Sequence, residues 1–410
     1  MFKQILVLAG AAAASSLQLR YPNPALSSRT TEPATILVSS AEEILVVSFD
    51  GANFTEKSRT NINATTSWLT YAGPDHFYAV NEDGKNTTKL TMNAARYTIE
   101  INATAEGSPG AVHLALSKDT RRMVGAAYGA GAIDIFDTSD DGIKFLKSVN
   151  TSSPHSAVSA NQTLSHPHQA VLDPTGQYFV VNDLGRDKMY VLDSTNDSFA
   201  IINYVPVEPS GCGPRHGAFF PAGAAKATHY MVVCEKANLV KTYALKYGGA
   251  KGIEFYKAQS LSTFTTDEPP AGASASELII AQDNKNMYVS NRVSSNNGTD
   301  TIAHFRIEGG SNDTTNGTEF NPWANPVTLE LVGLTSTGGK SPRMMSLTDD
   351  GETLLVGNMN GAMAVVALKR NKNGTLDETP VASMAMSTFT GNKGPQFTND
   401  KGPQFVQQIG

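Results

Sequence analysis

The sequence predicts an all-β protein, a seven-bladed β-propeller with four-stranded antiparallel blades around a central channel. Three observations predict it. A unit of strand, turn, strand, turn and strand recurs along the chain. Beyond the first residues, no stretch sustains helical periodicity. The 35 glycines, with abundant Asn, Ser and Thr, supply the turns that many short strands need. A repeat that cannot bury both faces alone buries them against its neighbours in a ring.

The elements follow in order. MFKQILVLAGAAAASSLQ has one basic residue, Lys3, then an apolar core and small residues. That is the pattern of a secretory signal peptide, assigned to residues 1–17, and residues 18–410 then form one domain. ILVSSAEEILVVSFDG (36–51) resembles the second half of a repeat unit. It is expected to complete a seventh blade with a C-terminal strand within 378–388, ETPVASMAMST. Six full units begin with TSWLTYAGPD (66–75), GAVHLALSKDT (110–120), SHPHQAVLDPTG (165–176), GPRHGAFFPAG (213–223), ASELIIAQDN (275–284) and SPRMMSLTDDG (341–351). Each leads through a D-G-like turn to a β-rich strand, then a polar turn and an alternating strand. The polar stretches 246–268 and 308–330 read as loop insertions.

Composition excludes several classes of partner. The net charge is −6, with no dense run of Lys and Arg, so nucleic acid and anionic membranes are not expected partners. No later segment approaches 18 uninterrupted apolar residues, so no membrane span is expected. Glycosylation sequons stand at Asn53, Asn63, Asn86, Asn102, Asn150, Asn161, Asn196, Asn297, Asn312, Asn316 and Asn373. Behind a signal peptide they place those residues on the surface of a secreted, extracellular glycoprotein. The two cysteines, Cys212 and Cys234, flank consecutive strands of one hairpin, and an oxidising compartment favours a disulfide between them. Nothing in the sequence sets an oligomeric state.

The repeat also locates a candidate site. His168 in S-H-P-H, Arg215 in C-G-P-R and Arg343 in K-S-P-R occupy the same place, each after a proline at the start of a first strand. First strands line a propeller's channel, so these three side chains are expected to converge on one mouth. Second strands end at the same mouth, bringing Glu82, Asp183, Glu235 and Arg292. Arginine forks hold carboxylates or phosphates, and a His with a Glu can move protons. His166 is expected beside His168, orienting it or touching substrate. His113 and His216 lie one position further along their strands. Alternation turns them into the blades, as structural residues. In NDLGRD, Asp183, Gly185 and Asp187 are expected to build a tight turn with the glycine at positive φ. No H-E-x-x-H, C-x-x-C, G-x-S-x-G, P-loop or dinucleotide fingerprint occurs, so no metal and no cofactor is called for.

SHPHQAVLDPTGQYFVVNDLGRD, GCGPRHGAFFP and MYVSNR, in that order, resemble the seven-bladed lactonase-type propellers. So does the ending GNKGPQFTNDKGPQFVQQIG, which carries a short duplication. That family includes fungal 3-carboxy-cis,cis-muconate cyclase and the propeller-type 6-phosphogluconolactonases. The resemblance implies a metal-independent site in which Arg215 and Arg292 hold substrate carboxylates while His168 and Glu235 handle the proton. Arg343 and His166 complete the substrate contacts. Two departures bear on Glu235: Lys236 follows it, and the insertion PAGAAKATH precedes its strand. The leading expectation is a cyclase-like intramolecular lyase acting on a carboxylated substrate and its lactone. Lactone hydrolysis and a non-catalytic binding propeller are the alternatives.

Overall fold

Seven antiparallel sheets succeed one another along the chain in the computed structural model. It describes residues 32–409 apart from 141, 152–163, 267, 296–297, 311–320, 322–325 and 390–401. The segment 1–17, expected to be a signal peptide, and the sequons at Asn161, Asn297, Asn312 and Asn316 lie outside the described residues.

Blades 1 to 6 have four strands each, ordered from first to fourth across the sheet, and their inner strands are Leu69–Tyr71, Ala111–Leu116, Pro167–Leu172, Pro214–Phe220, Ser274–Ile280 and Lys340–Leu347. Blade 7 has three strands among the described residues, Phe405–Gln408, Ala34–Phe49 and Phe54–Thr65. Its inner strand comes from the C-terminus, and Ile36–Ser39 pair with Gln408–Phe405. The ring is thus closed by first and last segments of the fold, as expected, but not by the segment expected. Within 378–388, Ala382–Ala385 is the outermost strand of blade 6, paired to Met363–Ala367. Burial explains the difference. The strand on the axis must be covered on both faces, and Phe405 and Val406 are buried, whereas Ala382–Ala385 is covered only at Met384.

The same contrast runs through every blade. In blade 2 the inner strand is buried at all six positions, while the outermost, Lys144–Asn150, alternates exposed and half-buried residues. Inner strands are therefore near-continuous apolar runs, and outer strands are polar enough to protect an exposed edge. That polarity concealed two strands. The stretches expected to be loop insertions contain Ile253–Ser262 and the start of Val327–Ser336, the outermost strands of blades 4 and 5.

Turn chemistry fixes the hairpins. In D-P-T-G the buried Asp173 carboxylate accepts from the backbone N–H groups of Thr175, Gln177 and Tyr178, and Gly176 takes φ +79°. Cys212 and Cys234 form a disulfide. The sequon residues Asn53, Asn63, Asn86, Asn102, Asn150, Asn196 and Asn373 are all exposed. Among the described residues no helix is long and apolar enough to cross a membrane.

Candidate active site

The site begins with a backbone irregularity. In blade 3, Pro167 opposes Asp183 and Gln169 opposes Asn182, so His168 is an extra residue with no partner across the strand. The same one-residue bulge recurs in the inner strands of blades 2, 4, 5 and 6, where the register shifts between Ala111 and His113, Pro214 and Gly217, Ala275 and Leu278, and Pro342 and Met344. Aligned on these bulges, Val112, His168, Arg215, Ser276 and Arg343 are equivalent. The residues that follow are His113, Gln169, His216, Glu277 and Met344. A bulge breaks the strict alternation of a strand and re-aims its side chains.

That break overturns one expectation. His113 and His216 do not turn into their blades. The His216 ring lies 5.1 Å from the His168 ring, 5.6 Å from His113 and 5.5 Å from Trp68, which come from blades 3, 2 and 1. Rings from four blades meet only at the axis. Trp68 also packs on His113 at 4.1 Å and on Phe405 of the closing strand at 5.6 Å. His166 does not bond His168. It stacks on Tyr128 at 4.3 Å and its Nδ1 contacts the Tyr128 carbonyl at 2.8 Å, while the Tyr128 ring stands edge-on to His168.

The charged residues converge as the repeat alignment expects. Glu235 Oε2 lies 2.9 Å from Arg215 Nε and 2.8 Å from Arg292 Nη2. These are close ionic contacts rather than aligned hydrogen bonds. Arg292 Nε and Nη2 are buried without a hydrogen-bond acceptor among the described residues. Arg343 Nη2 pairs with Glu82 Oε2 at 2.5 Å. Backbone carbonyls stitch these positions together: Asn182 donates to Arg215 O, Arg215 Nη1 to Ser276 O, and Ser276 Oγ to Arg343 O.

N-D-L-G-R-D supports two of these strands at once. Asp183 is fully buried and accepts from Ser165 Oγ, His166 N, Gly185 N, Arg186 N and Tyr190 Oη, which pins the S-H-P-H segment. Asp187 accepts from Gly211 N and Gly213 N at 2.7 Å each, which pins the approach to Arg215. Gly185 is needed for close approach rather than for a positive φ. A Cβ there would sit 2.0 Å from Leu164 O and 2.8 Å from the His166 ring. Asp187 is the residue with positive φ, at 48°.

Burial sets the protonation states. It pushes the His168 imidazole well below its ordinary range, and Arg215, His216, Arg343 and Arg292 add to that. His168 is therefore neutral near pH 7. His113 and His216 are pushed down for the same reason. Burial raises Glu235, but Arg292 and Arg215 outweigh it and hold the carboxyl below its ordinary range. Glu277 is different. Burial pushes it up to about 8, only partly opposed by Arg215 and the Leu278 N–H. Its Oε1 lies 2.8 Å from His216 Nδ1, and its Oε2 has no partner among the described residues. Sequence reasoning passed over Glu277, Trp68 and Tyr128. The signal for Glu277 was present, since it holds the same repeat position as His113 and His216.

Below this layer the axis is apolar. A cavity of about 100 Å³ is bounded by Trp68, His113 and Gln169 above and by residues such as Leu114, Ala170, Ala218 and Phe219.

Comparison with known proteins agrees with this architecture. A family model described as Lactonase, 7-bladed beta-propeller, matches residues 27–388. A protein of Arthroderma benhamiae named a probable 6-phosphogluconolactonase is 27% identical over 290 residues, 66% of this chain and 69% of its own length. The periplasmic gluconolactonase of Pseudomonas aeruginosa shares the fold at TM-score 0.71 and 20% identity, covering 91% of this chain and 98% of its own. A putative 6-phosphogluconolactonase of Bacteroides fragilis does so at 0.69 and 22%, covering 87% and 99%.

Proposed function

The chain belongs to the family of seven-bladed β-propeller lactonases, and from that premise we propose that it is a secreted hydrolase of an anionic lactone. One observation carries the reading: neutral His168 stands at the same channel mouth as Arg292, whose buried Nε has no acceptor among the described residues. Three guanidinium groups there face two ionic carboxylate partners, Glu235 and Glu82, which leaves the mouth attractive to a substrate anion. The name of the Arthroderma relative supports hydrolysis over the cyclase-like reaction. The signal segment, the disulfide and the exposed sequons support secretion.

His168 takes a proton from water as the water oxygen bonds to the lactone carbonyl carbon. Arg292 and Arg215 stabilise the oxyanion that forms. Collapse of that intermediate breaks the ring C–O bond, and the proton on His168 passes to the departing oxygen. The new carboxylic acid then ionises to solvent. Glu235, held ionised between two arginines, orients them, and proton transfer falls to His168.

The test is acid release from glucono-δ-lactone and from its 6-phosphate at pH 6.5, measured above the spontaneous rate. Wild type should accelerate it, with preference for the phosphorylated lactone. His168→Asn should lose on the order of 100-fold or more. Acid release no faster than the spontaneous rate with both lactones would end this reading. Loss of diene absorbance from 3-carboxy-cis,cis-muconate in a parallel sample would replace it with cyclisation.

A further inference from the structure

The Glu277 carboxyl touches neither Arg292 nor Glu235 in any ion pair, yet it is buried directly under the mouth at a bulged position. Its hydrogen bond to His216 Nδ1 ties blade 5 to blade 4. His216 is the hub of the axial rings: His168, His113 and Trp68 all pack on it. No other hydrogen bond orients the His216 ring among the described residues. Glu277 itself is held firmly, since its N–H donates to Ser290 Oγ and its Oε1 accepts from Leu278 N.

We propose that Glu277 is a positioning residue: its carboxyl fixes which nitrogen of His216 carries the hydrogen, and through that ring it sets the orientation and basicity of His168. The inference deepens the hydrolase reading and rests on it for its effect on rate. Two states follow from one hydrogen bond. With Glu277 protonated, its O–H donates to Nδ1, and Nε2 of His216 bears the hydrogen. Loss of one proton to solvent moves the carboxyl hydrogen onto Nδ1 and removes the one on Nε2. His216 is neutral in both states, but its Nε2 changes from donor to acceptor in the ring that packs against His168. A carboxyl pushed up to about 8 makes that change within the working range of a neutral-pH enzyme. The charged and titratable groups facing the pair are Arg215 and Glu235 of blade 4, Arg292 of blade 5, Arg343 of blade 6, His168 of blade 3 and His113 of blade 2. Arginines favour the ionised carboxyl and disfavour an imidazolium, so the proton that titrates belongs to the carboxyl.

The decisive measurement needs no substrate. In protein labelled with 15N-histidine, the His216 Nδ1 signal, assigned with His216→Asn, is followed from pH 6 to 9.5. Wild type should pass from acceptor to donor with a midpoint between about 7 and 9. Glu277→Gln, which keeps the shape but cannot ionise, should hold one state throughout. A single tautomer across the range in wild type would overturn the proposal. The second measurement is kcat against pH with a lactone. Glu277→Gln should lose the inflection near pH 8 while KM changes less than twofold. An unchanged profile would make Glu277 merely structural and would also overturn it. If no lactone is turned over at all, the hydrolase reading fails, and the His216 titration still decides this one.

Discussion

The two halves of the axial channel are built from the same inner strands and differ completely in chemistry. Where the strands begin, each of five carries a bulge, and the axis holds His168, Arg215, His216, Glu277 and Arg343. Where they end, pairing is regular, and Leu114, Ala170, Ala218 and Phe219 line a small apolar cavity. A regular strand gives alternate residues to the axis, whereas a bulge lets neighbours such as Arg215 and His216 both reach it. The reactive half is thus made by one inserted residue per strand, repeated around the ring, while the other half keeps the ring packed.

The largest effect should come from breaking the reactive half at its most buried charge. Arg215 is 2% exposed and holds both Glu235 and the Ser276 carbonyl. Arg215→Met leaves the Glu235 carboxylate with one partner, and breaking a buried pair costs about 3–5 kcal/mol. Lactone kcat/KM should fall by roughly 1,000-fold or more, because an oxyanion donor is lost as well. Arg343→Met removes a guanidinium that is 13% exposed in its side chain, against 2% for Arg215, and bound to the similarly exposed Glu82. Its kcat/KM should fall by only about tenfold. Equal losses in the two variants, measured by steady-state kinetics at pH 7, would remove the distinction between the buried and rim arginines.

The sequence made the mouth legible and hid the layer beneath it. His168, Arg215 and Arg343 follow prolines in aligned units, so a repeat is enough to bring them together. Glu235 and Arg292 followed from antiparallel pairing. The sense in which His113 and His216 point depends on a bulge, and an extra residue leaves no mark in a run of apolar positions such as GAVHLAL. Glu277 was passed over because S-E before L-I-I looks like a strand entry. Its significance comes from burial and from a partner 61 residues away. Closure was legible in kind but not in place. ETPVASMAMST and KGPQFVQQ both suit a short strand, and only double-sided burial distinguishes the axial one.

A middle-sized effect separates the titrating layer from the rest. Glu277 keeps its proton to about 8 in the fold and only to 4.5 when unfolded. Between those values the folded state binds more protons, so stability falls as pH rises through that window and levels off above it. His113, His168 and His216 act oppositely. Their folded pKa values are depressed below 6.5, so stability is lost as pH falls below that value and the unfolded chain protonates. Thermal melts should therefore be highest near pH 6.5 and drop by several degrees by pH 8.5. Glu277→Gln should flatten the alkaline side and steepen the acid side between about pH 4.5 and 6.5, where the Glu277 contribution opposes that of the histidines. A wild-type melt that does not decline between pH 6.5 and 8.5 would contradict a buried, proton-retaining carboxyl.

The smallest effect should come from the apolar half, and its smallness is informative. Ala218 follows the bulge of blade 4 by two residues and lines the cavity. Ala218→Val adds two methyl groups toward space that exists, so the usual penalty for overpacking, about 1–3 kcal/mol, should be largely avoided. The melting temperature should move by less than about 3 °C, and kcat and KM should each stay within about twofold of wild type. Arg215 lies three residues earlier on the same strand, so any strain passed along the backbone would reach it. A large loss of kcat with an unchanged melting temperature would mean that the two halves are mechanically coupled and that the bulge does not insulate the site. Unchanged kinetics would mean that the chemistry is confined to the bulged layer, with the rest of each inner strand free to vary in size so long as it stays apolar.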